Sequence, residues 1–317
     1  VYHGVGDIRL DDVPDPTIQE PTDAVVRITA SAICGTDLHF VRGTIAGMVP
    51  GTILGHEAIG VVEEVGSDVR NLRRGDRVVI PSTVGCGSRS YCRAGYYAQC
   101  DRANPNGPDA GTCFFGGPQS TGPVDGLQAE LARIPFAHTG PVRLPHDMSD
   151  DDAILLSDIL PTSWFGARLA EVSPGDTVAV FGAGVVGQLA AASAIEQGAG
   201  RVLIVDHHRD RLDWAARQGA EPIHFDEEDP VEAIKRLTGG IGVDRAIDCV
   251  GVDAERAHGG PAAASDEEAA QFDQEVDQVA SERADGDRWQ RAMPVAGAPV
   301  GRGGVGQGRH PRHHRRL

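Results

Sequence analysis

Lysine is almost absent from this chain: Lys235 stands alone among 29 basic residues, the others being arginine. Aromatic side chains are sparse at 5%, and there are three methionines. No apolar run approaches the ~20 residues that a membrane-spanning helix needs, and no basic start followed by an apolar stretch marks an export signal. The first residue is Val1 rather than Met, so a trimmed start is expected. Positive charge is in deficit, with 29 Lys and Arg against 46 Asp and Glu and a formal charge of −17. That balance argues against nucleic acid or an anionic membrane as the main partner. These absences lead to the expectation of a cytoplasmic protein. What is present is globular: 40% hydrophobic, 24% charged and 317 residues long, enough for two domains.

Six cysteines remain to be explained: Cys34, Cys86, Cys92, Cys100, Cys113 and Cys249. Three of them crowd one glycine-rich loop, GCGSRSYCRAGYYAQC, with Arg89 midway between the first two. An even count in a small secreted protein suggests disulfides. In a long chain without an export signal, clustered thiols more often hold metal. Cys249, at the end of an apolar run, is expected to be inert core packing.

The first ~150 residues show short alternating segments broken by Gly, Pro and Asp (DAVVRITASAIC, EAIGVVEEVG, GDRVVIPS), a texture that predicts a β-rich domain. From about residue 176 the pattern changes. The strands TVAVFGAG, RVLIVD, EPIHF and GVDRAIDCVG alternate with the helices VVGQLAAASAIEQG, DRLDWAARQGA and VEAIKRLTGG. Alternation of this kind predicts a parallel, doubly wound sheet. Beyond Gly251 the regularity fades into an acidic, Ala-rich stretch over 261–287, read as a solvated helix or surface insertion, and then a basic tail.

FGAGVVG supplies Gly182, Gly184 and Gly187 in G-x-G-x-x-G spacing. The motif follows a strand, opens a helix, and precedes Asp206 by roughly 20 residues, the context of a dinucleotide site. Gly182 permits the tight turn, Gly184 lets a pyrophosphate approach the backbone, and Gly187 brings helix and sheet close. The helix N-terminus then faces phosphate. Asp206 can accept the ribose hydroxyls and would repel a 2′-phosphate, favouring NAD over NADP, although His207, His208 and Arg209 soften that preference. A second constellation lies in CGTDLH and GHE. A Cys34 thiolate and a His56 imidazole are good zinc ligands, while Glu57 and Asp158 offer carboxylates. Three protein ligands with one open position define a catalytic zinc site.

GHEAIGVVEEVG, the cysteine loop, GDRVVIPS and VAVFGAGVVG together resemble, in order, the zinc-dependent medium-chain alcohol dehydrogenase family, over residues 1 to about 250. FFGGPQSTGPVDGLQAE and LLSDILPTSWFGA look most like its glutathione-independent formaldehyde dehydrogenase branch. The fold implied is α/β: a GroES-like catalytic domain over 1–157 and a Rossmann NAD-binding domain over 158–250, the latter incomplete. An acidic insertion or linker (251–287) and an aberrant basic tail (288–317) would follow. The resemblance implies zinc on Cys34, His56 and Asp158, with Glu57 adjacent as an alternating or outer carboxylate. Thr36 and His39 match the family's proton relay, and Trp164 and Phe165 could wall a substrate pocket or simply pack. The implied reaction moves hydride from a short alcohol or aldehyde hydrate, formaldehyde included, to NAD. A polyol or amino-alcohol dehydrogenase is the alternative within the superfamily, and a non-catalytic zinc- or nucleotide-binding remnant lies outside it. Homo-oligomers are expected for the family.

Two departures stand out. The family's structural zinc lobe spaces four cysteines as C-x-x-C-x-x-C-x7-C, which fall here on Cys86, position 89, Cys92 and Cys100, and position 89 is arginine. A weak or absent metal and a more mobile lobe are expected. The tail from Arg288 contains no Asp, Glu or Lys and does not supply the strands that would complete the nucleotide sheet and, in relatives, the subunit contact. One reading is a basic, His-rich segment for nucleic acid or metal. The other is a frameshift in a GC-rich gene: read one nucleotide out of phase, the tail can yield PSQALQWAVEASAKAGTLGIIGVY, a helix and a buried strand. Resequencing separates these.

Overall fold

The computed structural model describes residues 1–251 and six isolated positions: 263, 265, 267, 270, 271 and 274. The expectations for the 288–317 tail, and most of those for 251–287, therefore lie outside the described residues. Two compact units emerge, one over Val1–Asp158 and one from Ile159 onward. Asp158 goes with the first.

The first unit opens with a short antiparallel pair, β1 (Tyr2–Gly4) and β2 (Asp7–Ile8). Its body is a five-stranded antiparallel sheet of β3 (Ala24–Ser31), β4 (Ala58–Val65), β5 (Arg77–Ile80), β6 (Leu131–Ile134) and β7 (Val142–Arg143), in the order β6-β3-β4-β5-β7. Alternation in these strands sends Ala24, Val26, Val62, Val78, Ile80, Ala132 and Ile134 into one core. Burying each larger side chain of this kind is worth about 1.5–3 kcal/mol. Gly60 lies where β4 crosses β3, and a Cβ there would stand 2.4 Å from the Arg27 carbonyl oxygen. Helix α1 (Gly35–Arg42) follows β3 directly, with Cys34 extended at its N-cap. Gly43 ends it at φ 76°, a left-handed conformation that costs glycine nothing. The short helices α2 (Ser90–Arg93) and α3 (Asp150–Ala153) complete the unit. Asp150 ties α3 to the sheet by accepting from Thr29 Oγ1 at 2.7 Å and from Arg77.

The second unit begins with α4 (Ile159–Leu169). It continues as β8 (Thr177–Phe181), α5 (Val185–Glu196), β9 (Arg201–Asp206), α6 (Arg209–Arg217), β10 (Glu221–His224), α7 (Pro230–Leu237) and β11 (Arg245–Asp248). All strand pairs are parallel and the order is β10-β9-β8-β11, the doubly wound arrangement expected from the alternation. Continuous apolar runs in β8 and β9 are explained by cover on both faces. Val178, Val180, Val202 and Ile204 share a cluster with alanines of α5 and with Leu212 of α6. Ala179, Leu203 and Val205 share another with Ala233 and Ile234 of α7. Asp229 caps α7 by accepting from Val231 and Glu232 N–H, with Pro230 at the first helical position, where a missing N–H is harmless. Cys249 packs partly buried against the first of these clusters, as its apolar setting predicts.

Candidate metal centre and dinucleotide cradle

Cys34, His56, Glu57 and Asp158 each bring one ligand atom to a common point, all within 4.8 Å of one another. The convergence is a product of the sheet. Cys34 leaves β3 at the start of α1, and His56 and Glu57 immediately precede β4, the neighbour of β3. Asp158 is held from the opposite side: Ser82, two residues past β5, donates its hydroxyl to Asp158 Oδ1 at 3.1 Å, and its N–H bonds the Ser157 carbonyl at 3.0 Å. Gly55, at φ 93°, turns the chain into His56, where a Cβ would meet Gln128 at 2.5 Å.

The electrostatics of this point favour a cation. Glu57 is 1% exposed, and neither of its carboxylate oxygens has a hydrogen-bond partner. Burial, reinforced by the nearby Asp158 charge and opposed by His56, pushes its carboxyl above the usual range. His56 Nε2 lies 3.6 Å from Asp158 Oδ2, and Nδ1 lies 3.2 Å from Asp37 Oδ1. Burial disfavours the charged imidazole, but the contacts with Asp158, Asp37 and Cys34 outweigh it and push the group up to about 12. A proton is thus gripped where a thiol and two carboxylates gather, and a divalent cation offers the same compensation at higher charge. The donor set of sulfur, imidazole and carboxylate suits zinc.

Thr36 Oγ1 lies 3.7 Å from Cys34 Sγ, and His39 follows on α1 at i+3, so the two occupy one helix face. Asp37, absent from the residues expected at the site, belongs to it. It is 2% exposed, faces His56, and accepts from the Cys34 N–H at 2.9 Å. The signal was available in CGTDLH: an acid three residues past the helix N-cap is half of a capping box. Ser82 carried no comparable sequence signal. Trp164 and Phe165 are exposed on α4.

In the second unit the three glycines behave differently. Gly182 turns at φ 90°, and a Cβ there would meet Val250 at 2.8 Å. At Gly187 a Cβ would stand 1.8 Å from the Gly182 carbonyl oxygen, so α5 can approach β8 only without one. Gly184, the N-cap of α5, faces open space. Asp206 ends β9 at 6% exposure and accepts from the N–H groups of Ala183 (2.6 Å), His207 (2.7 Å) and His208 (2.8 Å). Its carboxylate therefore pins the glycine turn. His207 stacks on Phe225 and Arg209 pairs with Glu227, so these two flanking side chains are engaged elsewhere, while Arg211 stands 4.0 Å from Asp206.

In the cysteine loop Cys86, Cys92 and Cys100 are buried, with their sulfurs within 4.8 Å of one another. All six cysteines of the chain are free thiols. Burial would raise the Cys86 thiol, but bonds from Ser88 and from the Ser88 and Arg89 backbone prevail and bring it down to about 6. Burial pushes Cys92 up to about 11.

Residues 20–145 match the family model described as alcohol dehydrogenase GroES-like domain, and residues 185–257 match zinc-binding dehydrogenase. An uncharacterized zinc-type alcohol dehydrogenase-like protein of Bacillus subtilis is 39% identical over 256 residues, covering 80% of this chain and 67% of its own length. The chain belongs to the zinc-dependent medium-chain alcohol dehydrogenase family. Within the family, the glutathione-independent formaldehyde dehydrogenase of Pseudomonas aeruginosa is 37% identical over 270 residues, covering 82% of this chain and 66% of that protein. Among solved structures, alcohol dehydrogenase from Thermus sp. ATN1 superposes with a TM-score of 0.72 at 37% identity, over 80% of this chain and 70% of that one. This medium-chain dehydrogenase thus spans about two thirds of the length of each of these two curated relatives. Among the described residues no helix is long and apolar enough to cross a membrane.

Proposed function

We propose that this chain is a zinc- and NAD-dependent oxidoreductase that moves hydride from a short alcohol or aldehyde hydrate, formaldehyde among them, to the nicotinamide. One observation carries the reading: a buried carboxylate without a partner, Glu57, sits with Cys34, His56 and Asp158 inside 4.8 Å. Cys34, His56 and Asp158 are the ligands, and Glu57 stands beside them as an alternate carboxylate. Zinc supplies Lewis acidity there, lowering the pKa of a substrate hydroxyl toward neutrality. Thr36 takes up the hydroxyl proton as it gives up its own, and His39, one turn on, receives the relayed proton and passes it to solvent. Asp37 holds His56 from its far nitrogen and fixes which nitrogen faces the metal.

Gly184 lets the pyrophosphate reach the N-terminus of α5, where unsatisfied N–H groups and the helix dipole favour negative charge. Asp206 favours a free ribose hydroxyl over a 2′-phosphate, hence NAD. Small aldehydes as substrates are supported by the SDILPT and FFGGPQSTGPVDGLQAE segments and by the likeness to the Pseudomonas formaldehyde dehydrogenase.

The test is NADH formation from ethanol and from formaldehyde, with and without a chelator, alongside NADP as cofactor. Turnover that a chelator abolishes and zinc restores is the expected result. Cys34→Ser and Asp158→Ala are each expected to lower kcat/KM by at least ~100-fold, the upper range for losing even an outer-shell partner. Full activity in either variant overturns the ligand set. No turnover despite one bound zinc favours a binding remnant.

A further inference from the structure

The cysteine lobe is not the four-thiolate closed site of its family, yet neither has it fallen apart. Cys86, Cys92 and Cys100 are 1%, 2% and 3% exposed, and their sulfurs gather within 4.8 Å as free thiols. The backbone directs N–H donors at these sulfurs. The Cys86 N–H donates to Cys100 Sγ at 3.4 Å, the Gly87 N–H faces Cys92, and the Ser88 and Arg89 N–H groups face Cys86, with Ser88 Oγ at 3.5 Å from the same sulfur. Each of the three sulfurs thus has a backbone N–H directed at it, and the side chains are held in place facing one another. Gly87, at φ 71°, makes the turn that points these donors inward.

Position 89 contributes no ligand. Arg89 is exposed and serves as the N-cap of α2 through its carbonyl, which accepts from Arg93 N–H at 2.9 Å. Its guanidinium charge is thus screened by solvent rather than driven into the thiol cluster. Cys113 is buried as well but stands outside the converging set. Three sulfurs buried within reach of a single ion suit a metal whose binding releases their protons, and sulfur donors select soft or borderline metals.

We infer that Cys86, Cys92 and Cys100 form an open three-thiolate site for a thiophilic divalent cation, zinc in ordinary growth, with solvent at the fourth position. The preassembled thiols make binding weak and exchangeable rather than absent. A closed structural site holds its zinc with four protein ligands. With three protein ligands the fourth position falls to solvent, and a chelator that takes it can remove the metal.

The experiment compares the full chain with Cys92→Ser, Arg89→Cys and Cys34→Ser, each equilibrated with excess Zn2+ and freed of unbound metal. Native mass spectrometry counts zinc, and competition with a chromophoric chelator times its release. The wild-type chain is expected to hold two zinc ions that leave in two kinetic phases. The fast phase should vanish in Cys92→Ser, persist in Cys34→Ser, and slow in Arg89→Cys by at least the ~10–100-fold that supporting ligands contribute. Titration with Cd2+ gives a second readout: a thiolate-to-metal charge-transfer band that Cys92→Ser diminishes and Arg89→Cys strengthens. One zinc per wild-type chain with no change in Cys92→Ser, or a second zinc released as slowly as in Arg89→Cys, overturns the proposal. Because none of these readouts is turnover, failure here is separate from failure of the proposed activity.

Discussion

At the scale of single residues, the proposed metal centre rests on side chains that are not among its ligands. Asp37 both closes the first turn of α1 on the Cys34 N–H and stands 3.2 Å from His56. It therefore couples the positions of two proposed ligands. Asp37→Asn keeps the shape but removes the charge facing His56. Zinc affinity is expected to fall by ~10–100-fold, read by chelator competition, with the folded structure retained by circular dichroism. Glu57→Gln should leave one zinc bound at the same site yet exchanging faster, since the removed charge is buried beside the cluster. Cys34, His56 and Asp158 were legible individually because each sits in a recognisable local string. Asp37 could have been read from its capping position. Ser82 could not, because its link to Asp158 exists only after β5 and the Ser157 turn are brought together.

Among the elements, the strand–turn–helix of β8 and α5 separates two roles that one motif merges. Gly187 is required by packing, because a Cβ would collide with the Gly182 carbonyl oxygen. Gly184 meets nothing in the protein itself. Gly187→Ala is therefore expected to destabilise the second unit by about 1–3 kcal/mol, the usual range for overpacking, seen as a lower denaturant midpoint. Gly184→Ala should leave that midpoint unchanged while raising the dissociation constant for NAD. Equal loss of stability in both variants would contradict the division of labour. The alternating pattern announced the four strands of this sheet and the three helices between them, since apolar runs of strand length between helical segments have few other uses, but not α4, which precedes the alternation. Boundaries shifted by a residue or more, as where EPIHF yields β10 over Glu221–His224.

For the molecule as a whole, a bound ion contributes stability by mass action: about 2.7 kcal/mol at a free concentration one hundred times its dissociation constant. Removing metal with a chelator is expected to lower the melting temperature and to loosen amide protection in α1, β4, the turn around Asp158 and the cysteine loop around α2. The β8–β9 core of the second unit should keep its protection, because no proposed ligand resides there. NAD should act in the opposite sense on that second core. Uniform loss of protection throughout the described residues after metal removal would contradict this assignment.

The sequence by itself determined the local grammar. Two-residue alternation marked the antiparallel sheet and the glycine spacing marked a nucleotide turn, both short-range patterns written in neighbours a few residues apart, while the resemblance of several motifs in order pointed to the zinc-dependent dehydrogenase family. Tertiary structure alone decided that Glu57 is buried without a partner, that Asp37 faces His56, and that Arg89 stays in solvent while three thiols converge behind it. Each of those facts depends on which segments fold against one another, and a carboxylate or thiol has the same symbol in the chain whether water or protein surrounds it.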